Sequence, residues 1–487
     1  MICRAIRWPE VVAPMLATAV GISAAISPGA ATGVITVLAE ADLLSTEAWI
    51  MGGSGDPIPS AGGMAALMHR YVDPATPFFA GQPQFPVDAT HSLFTPEGLY
   101  PLTGIKVLEL DPSVTQGLTI LDSTIKGQIA AGNNLVVVGV SQSSVISALQ
   151  MRDLLALPLG EQPTADQLSF VLLGNESNPN GGLLSRFGDP SLPPLSIPSL
   201  GITFSGAEPA DTPWATAIYT AEYDGFADFP RYPINLLSDI NALLGIAFVH
   251  TSYGSLTAEQ LAATVELPVT DDYTGATRYF MIPTENLPLL VPLRAIPVLG
   301  DPLADLLQPA LRVLVNLGYG SIDEGWDHGP ANVSTPFALF PTDINPADVF
   351  TALVNGAQQG VQDFIHDLES LSLPNIVNEI ANGNATDSLP SLLDIVNTFS
   401  GVLSSAYSGL LPTADVINAL LTSLPAYDIS LFMQELMSGD LLDAIGLPIA
   451  ATVGLGSLAG MVEIGAVLQA ISPLLGIGEP ADLLPLF

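Results

Sequence analysis

The feature that most constrains the fold is a valine-rich run that ends in a serine-centred turn, between Asn134 and Ser144. The run Asn134–Val140 favours a buried strand, and the residues after Ser141 can begin a helix. A strand, a sharp turn and a helix form a nucleophile elbow, which lifts a serine hydroxyl out of the sheet towards a pocket. A buried strand followed by a serine-capped helix fits the same residues, so this pattern alone leaves both interpretations open.

Small residues flank this turn at the positions where the strand and the helix must pack closely. The usual spacing of the elbow is G-x-S-x-G, and this chain has Gly139 before Ser141 and Ser143 after it. If Ser141 is a nucleophile, the rest of the chain must supply its catalytic partners.

The composition excludes several classes of protein. The chain has 487 residues, too many for one compact core of ordinary size, and 48% of them are apolar. Acidic residues outnumber basic ones 48 to 11, and the net charge of −37 opposes binding to nucleic acid or to anionic lipid headgroups. The one cysteine, Cys3, and five singly scattered histidines predict no disulfide and no metal site.

Residues 1–32 have the pattern of an export signal. Arg4 and Arg7 give it a positive start, residues 11–26 are apolar, and the small residues at 28–31 suit cleavage. The apolar run is too short for an ordinary membrane span, although an uncleaved anchor is the alternative. Both interpretations predict an exported protein that is secreted or held in the cell envelope.

Short apolar runs alternate with helical stretches through the first half of the chain, which predicts an α/β fold with a mostly parallel sheet and helices on both faces. A helix is predicted at Leu118–Ala131. The predicted strands are Thr46–Met51, Thr103–Leu110, Asn134–Val140, Leu168–Gly174 and Trp214–Glu222. The Pro- and Leu-rich stretches 183–213 and 283–300 are candidates for a flap or an apolar acyl channel.

The acid and the base that a serine nucleophile needs have candidates downstream of Ser141. Asp224 follows a predicted strand and precedes a glycine, and His250 follows some twenty residues later. This order of serine, aspartate and histidine is that of α/β-hydrolases. His69 and His91 precede the serine and break the order. Two competitors stay open, Asp228 for the acid and His328 for the base.

The chain changes character near residue 335. The remainder is predicted to be helical, acidic and apolar, with examples at 347–371 and 389–411. Residues Ala444–Val462 are uncharged and approach the length of a membrane span, but glycines and a proline weaken them as a membrane helix. A buried helix or a lipid-facing hairpin is favoured over a true span.

Several motifs in order make this chain resemble the PE-PPE domain, an α/β serine hydrolase family of mycobacteria and their relatives. The resemblance covers about residues 45–330, and the motifs are Gly52–Gly55, Gly139–Ser143, Gly174–Asn175, Asn178–Gly182, Tyr223–Pro230, Val249–Tyr253 and Pro283–Leu290 with Arg294. It implies a hydrolase domain at 40–335, between the signal peptide predicted at 1–32 and the helical C-terminal region predicted at 336–487. No PE or PPE helical module precedes the domain, which suggests ordinary secretion.

The resemblance also implies roles for the candidate residues. Ser141 would be the nucleophile, His250 the general base and then acid, and Asp224 the carboxylate that orients the histidine. The oxyanion would be held by two backbone N–H groups, one from Gln142 and one from Ser54 or Gly53. The glycine-rich loop that contains Gly53 and Ser54 is otherwise a plain tight turn.

We therefore expect an exported serine esterase or lipase that acts on acyl esters without a cofactor. The first alternative is an acyltransferase that moves fatty acyl chains onto trehalose or related envelope glycolipids. The second is a non-catalytic envelope protein on a hydrolase fold. The expected partner is an acyl-ester or glycolipid substrate and not nucleic acid, and the C-terminal helices are candidates for peripheral association with envelope lipid.

Overall fold

The computed structural model describes residues 45–296, 298–370 and 411–471. The predicted signal peptide and most of the predicted helix at 389–411 lie outside these residues. The signal peptide, the domain boundaries at 40, 335 and 336, and the export of the chain stay predictions.

Seven strands form one sheet, and a separate hairpin makes a second sheet in the described part of the chain. The strands are β1 (Thr46–Ile50), β2 (Ala89–Ser92), β3 (Asn134–Val140), β4 (Leu168–Leu173), the hairpin β5 (Ser196–Ile197) and β6 (Ile202–Thr203), β7 (Ala215–Ala221), β8 (Val265–Glu266) and β9 (Thr277–Ile282). The order of the large sheet is β2-β1-β3-β4-β7-β9-β8. Every pair is parallel except β8 with β9, so the carboxyl ends of the long strands share one edge.

Helices surround this sheet and continue into the C-terminal part. They are α1 (Ala61–Leu67), α2 (Leu110–Ala130), α3 (Gln142–Ala156), α4 (Leu183–Arg186), α5 (Leu236–Phe248), α6 (Ala258–Ala262), α7 (Val291–Arg294), α8 (Gly300–Asn316), α9 (Pro346–Ser370), α10 (Ser423–Ser438) and α11 (Leu441–Ile471). Residues 411–421 are also helical. Helix α9 packs on α8, α10 packs on α11, and α11 also contacts α5.

Alternate residues of the strands supply two separate cores, one on each face of the sheet. Val137 joins a cluster that includes Leu121 of α2 and Ile146 of α3. Its neighbours Val136 and Val138 join the cluster on the opposite face. This alternation follows from the pleat, and it explains why the central strands are apolar throughout. The predicted fold class, an α/β-hydrolase fold with a C-terminal helical region, is confirmed.

One predicted strand, Thr103–Leu110, is wrong. The segment up to Glu109 is a series of turns, and α2 begins at Leu110. The Asp-Pro pair at 111–112 lies in the first turn of this helix, where a proline loses no hydrogen bond that the helix needs. The side chains of Val107 and Leu108 are also exposed, so this run has no buried position in the sheet.

The C-terminal helices lie against the sheet domain on one side. The Ser457 hydroxyl donates to Asp239 Oδ2 at 3.3 Å, and the Tyr427 hydroxyl donates to the Phe187 carbonyl at 3.4 Å. Two helical stretches, Leu411–Ser438 and Leu441–Gly465, are long and apolar enough to cross a membrane by length and composition alone. They include exposed apolar side chains such as Met437. Association with envelope lipid stays a prediction.

Candidate active site

Ser141 sits at a strained turn between β3 and α3. Its φ of 54° and ψ of −123° are unusual for a residue with a side chain, and such strain is typical of functional turns. A Cβ atom on Gly139 would lie 2.9 Å from the Ser143 carbonyl oxygen, so only glycine fits there. The Ser143 hydroxyl accepts from the Val140 N–H at 2.7 Å and so helps to close the turn. Ser141 makes no side-chain cap hydrogen bond, which favours the elbow over the capped-helix interpretation.

Asp224 and His250 form a buried pair. Asp224 lies three residues after β7, and both of its carboxylate oxygens are 2.8 Å from His250 Nδ1. The Phe226 and Ala227 N–H groups donate to Asp224 Oδ1 at 3.0 and 3.3 Å, and the Tyr253 hydroxyl donates to Oδ2 at 2.7 Å. These donors fix the carboxylate, and the carboxylate in turn fixes the imidazole ring.

The second ring nitrogen of His250 is free to act in the cavity. Within the described chain, Nε2 is buried and has no hydrogen-bond partner. His250 and Ser141 line the same cavity of about 380 Å³. Burial opposes a charge on this ring, but the carboxylates of Asp224 and Glu176 outweigh that effect and raise the pKa of His250 above its ordinary value.

Glu176 is a site residue that the sequence did not reveal. Its Oε1 atom accepts a hydrogen bond from the Ser141 hydroxyl at 3.3 Å. Burial raises the pKa of Glu176 to about 7; the neighbouring His250 lowers it and Asp224 raises it further. Glu176 follows β4, whose carboxyl end lies beside that of β3. Only this position in the sheet could have indicated that Glu176 lies next to Ser141.

The three oxyanion candidates lie around Ser141. Gly53 and Ser54 line the same cavity, and a Cβ atom on Gly53 would lie 3.7 Å from Ser141 Oγ. Gln142 begins α3, so its backbone N–H has no partner within the helix. The side-chain amide of Gln142 donates to Ser54 Oγ at 3.0 Å and to the Gly98 carbonyl at 2.8 Å. This link holds the glycine-rich loop beside the nucleophile turn.

The structure separates the two competing residues from this group. The His328 side chain is 55% exposed and pairs with Glu324 at 3.0 Å. It lines neither the cavity of Ser141 nor a second, adjoining cavity that is described below. Asp228 is buried, but its Oδ2 atom accepts the Tyr223 N–H at 3.0 Å, while His250 bonds to Asp224. The geometry thus favours Asp224 and His250, although their catalytic roles stay predictions.

Among the described residues, no cluster of three or more His, Cys, Asp or Glu side chains could hold a metal.

Four buried carboxyl groups make the stability of the fold sensitive to pH. Burial is the chief cause in each case. It raises the pKa of Glu176 to about 7, and it raises the pKa values of Glu97, Glu208 and Asp239 to about 8. Between their unfolded and folded pKa values, the folded chain binds more protons than the unfolded chain, so stability falls as pH rises. We expect a lower Tm at about pH 8.5 than at about pH 5.5 in thermal unfolding.

The variant Glu97→Gln tests the cause of this pH dependence. It removes one titrating group, so the difference in unfolding free energy between the two pH values should shrink by on the order of 3 kcal/mol. The exposed Glu259→Gln is the matched control and should leave the difference unchanged. An equal or higher Tm at the alkaline pH would contradict the raised pKa values.

Comparison with known proteins places this architecture in a family. The family model of the PE-PPE domain matches residues 86–320. The chain is 45% identical to the PPE family protein PPE28 of Mycobacterium tuberculosis over 457 residues, which cover 89% of this chain and 67% of that protein. It is 47% identical to Esterase PE16 of the same organism over 302 residues, which cover 62% of this chain and 53% of that protein.

A more distant relative carries a different activity in its name. The chain is 29% identical to the Diacyltrehalose acyltransferase Chp2 of Mycobacterium tuberculosis over 237 residues, which cover 47% of this chain and 64% of that protein. The chain thus spans between about half and two thirds of the relatives named. The extent of the match to PPE28, together with the domain match, shows that the chain belongs to the PE-PPE domain family.

Proposed function

We propose that this chain is a serine hydrolase that cleaves acyl esters of lipids through an acyl-enzyme on Ser141. The observation that carries the proposal is that Ser141, on a strained turn, and His250 line one largely apolar cavity. The Asp224 carboxylate holds the imidazole from behind, and His250 Nε2 has no hydrogen-bond partner among the described residues. Relatives named as an esterase and as an acyltransferase support an enzyme of the hydrolase type that acts on lipid esters.

The first step of the proposed reaction is activation of the serine. A serine hydroxyl is a weak nucleophile at neutral pH until a base accepts its proton. The Ser141 hydroxyl donates a hydrogen bond to Glu176 in the structure, so it must turn towards His250 Nε2 before it attacks. As the oxygen forms a bond to the ester carbonyl carbon, Nε2 takes the proton and Asp224 stabilises the imidazolium.

The acyl group then passes through two tetrahedral intermediates. The first carries its negative charge on the former carbonyl oxygen, which the N–H groups of Gln142 and of Gly53 or Ser54 would bind. Collapse breaks the bond to the alcohol, which leaves with the proton from His250. Water next attacks the acyl-enzyme and gives its proton to His250. When the second intermediate collapses, the bond to Ser141 Oγ breaks, His250 returns the proton to that oxygen, and the fatty acid leaves. Water is the only co-reactant.

Acyl transfer is the second candidate because one relative is named an acyltransferase, and the apolar lining of the cavity suits either activity. Most side chains around Ser141 are apolar, among them Leu67, Leu102, Phe226 and Met461. An acyl-enzyme shielded from water survives long enough to meet a sugar hydroxyl in place of water. Trehalose is the acceptor to test, because one relative is named a diacyltrehalose acyltransferase. Either activity suits an exported or envelope location.

The test is incubation of the full chain with a medium-chain acyl ester, with and without trehalose, followed by mass spectrometry. Free fatty acid in both reactions, without a sugar ester, would support the esterase. A dominant sugar ester would support the acyltransferase. If a folded protein, checked by circular dichroism, yields neither product, the proposal fails and a non-catalytic envelope protein is the better interpretation.

A further inference from the structure

A second cavity, which we call the rear chamber, lies next to the cavity of Ser141. Its volume is about 120 Å³. The two cavities adjoin, because four residues line both of them: Leu99, Leu102, Phe226 and Met461. Glu176 also lines the rear chamber, and its carboxyl group contacts the Ser141 hydroxyl. The rear chamber therefore adjoins the position where an ester carbonyl would bind.

The walls of the rear chamber come from distant parts of the chain. One wall consists of Leu183, Leu184 and residues of the hairpin β5–β6 such as Ile202. The facing wall is built by the C-terminal helices, including Ala419 and Ala459. The predicted acyl-channel stretch 183–213 thus does line a cavity, whereas 283–300 lines neither of the two described here.

The chemistry of the rear chamber fits an aliphatic chain. Glu176, at the junction, and Ser423 are the polar residues in its lining, and the remaining lining residues are aliphatic or aromatic. Such a cavity offers too few hydrogen-bond partners to hold ordered water. Each methylene group that enters it leaves water for an apolar environment, which favours binding.

Polar contacts hold the C-terminal wall in place, so the rear chamber is formed before any ligand binds. The Tyr100 hydroxyl donates to Asp415 Oδ2 at 2.7 Å, and the Ser199 hydroxyl donates to the Asp415 carbonyl at 2.8 Å. The Ser457 hydroxyl of α11 donates a hydrogen bond to the Asp239 carboxylate of α5. A preformed apolar cavity beside a reactive group is the usual form of a small-molecule site.

We propose that the rear chamber binds the acyl chain of the ester substrate, and that the C-terminal helices are therefore part of the substrate site. The proposal rests on the function proposed above, since it places the acyl carbonyl at Ser141. It predicts a preference for esters whose chains are long enough to pass Phe226 and Met461 and enter the rear chamber. Residues 411–465 lie beyond the family match at 86–320, so this wall is an addition to the matched domain.

The test compares esters of butyrate and palmitate in variants that fill the rear chamber. Ala459→Trp of α11 and Ala419→Phe are the filling variants, and Ile449→Trp is the matched control because its side chain on α11 is half exposed. We expect the ratio of kcat/KM for palmitate to that for butyrate to fall by about tenfold or more in either filling variant. The ratio in the control should stay within about twofold of the unmodified chain.

A binding measurement separates this proposal from the proposed reaction. Palmitate is titrated by calorimetry into the Ser141→Ala protein and into the same protein with Ala459→Trp, neither of which needs to turn over an ester. Weaker palmitate binding in the double variant supports the rear chamber even if no ester is ever hydrolysed. Equal binding in both proteins, or hydrolysis with an unchanged chain-length ratio in the filling variants, would overturn it.

Discussion

Replacing His250 with alanine is expected to lower kcat/KM for an acyl ester by about 10⁴-fold or more, while the protein stays folded. His250 is the one histidine that lines the Ser141 cavity, within the described chain, and its Nδ1 is held by Asp224. Without it, the imidazole that takes the proton from the serine during attack and returns one to the leaving alcohol is missing. Steady-state kinetics on a medium-chain ester measure the loss.

His328→Ala is the matched control for this variant. It removes a histidine that is half exposed and paired with Glu324, away from both cavities. We expect its kcat/KM to stay within about threefold of the unmodified chain. If His328→Ala abolished the activity and His250→Ala did not, the assignment of the base would be wrong.

Ser141→Ala is expected to have the largest effect of any substitution, a loss of kcat of about 10⁶-fold. The variant keeps the cavity and its apolar lining but has no oxygen that can form the acyl-enzyme. Palmitate should therefore still bind, whereas no acyl group should transfer to water or to a sugar. Ester turnover and calorimetric binding, measured on the same preparation, separate these two quantities.

A second serine of α3 provides the control for Ser141→Ala. The Ser147 hydroxyl donates to the Ser143 carbonyl at 2.8 Å within the helix and faces no cavity described here. Ser147→Ala should cost about 1 kcal/mol of stability and leave kcat within a few-fold of the unmodified chain. A comparable loss of kcat in both variants would mean that the nucleophile turn, and not the Ser141 oxygen, accounts for the effect.

The sequence predicted the parts of the site that depend on local pattern. A valine-rich strand before Ser141 and a strand-end aspartate followed by glycine are features of a few consecutive residues, and the structure brings Ser141 and His250 to one cavity with Asp224 behind the imidazole. The order of these residues along the chain then restricted the choice among five histidines.

The parts that the sequence could not predict depend on contacts between distant residues. Glu176 lies in a polar loop, where a glutamate is ordinarily exposed, and only the neighbouring strands β3 and β4 bring it to the serine. The apolar pattern of residues 411–471 indicates that these helices bury one face, but it does not identify the surface on which that face packs. Their role in the wall of the rear chamber is visible only in three dimensions.

The Ser141–Glu176 hydrogen bond also bears on the central claim. In this state the serine hydroxyl donates to a carboxyl group, and His250 Nε2 has no partner among the described residues. Catalytic hydrogen bonds are often absent or long before substrate binds and form in the complex. The Ser141 hydroxyl must therefore reach His250 Nε2 once an ester occupies the cavity.

The most direct test of the central claim is covalent labelling of the full chain with a fluorophosphonate, followed by peptide mass spectrometry. The reagent forms a stable adduct only with a serine that a neighbouring base activates. We predict one adduct, on Ser141, that is absent in Ser141→Ala and forms far more slowly in His250→Ala. A folded protein that takes up no label, or that takes it up on another serine, would contradict the account.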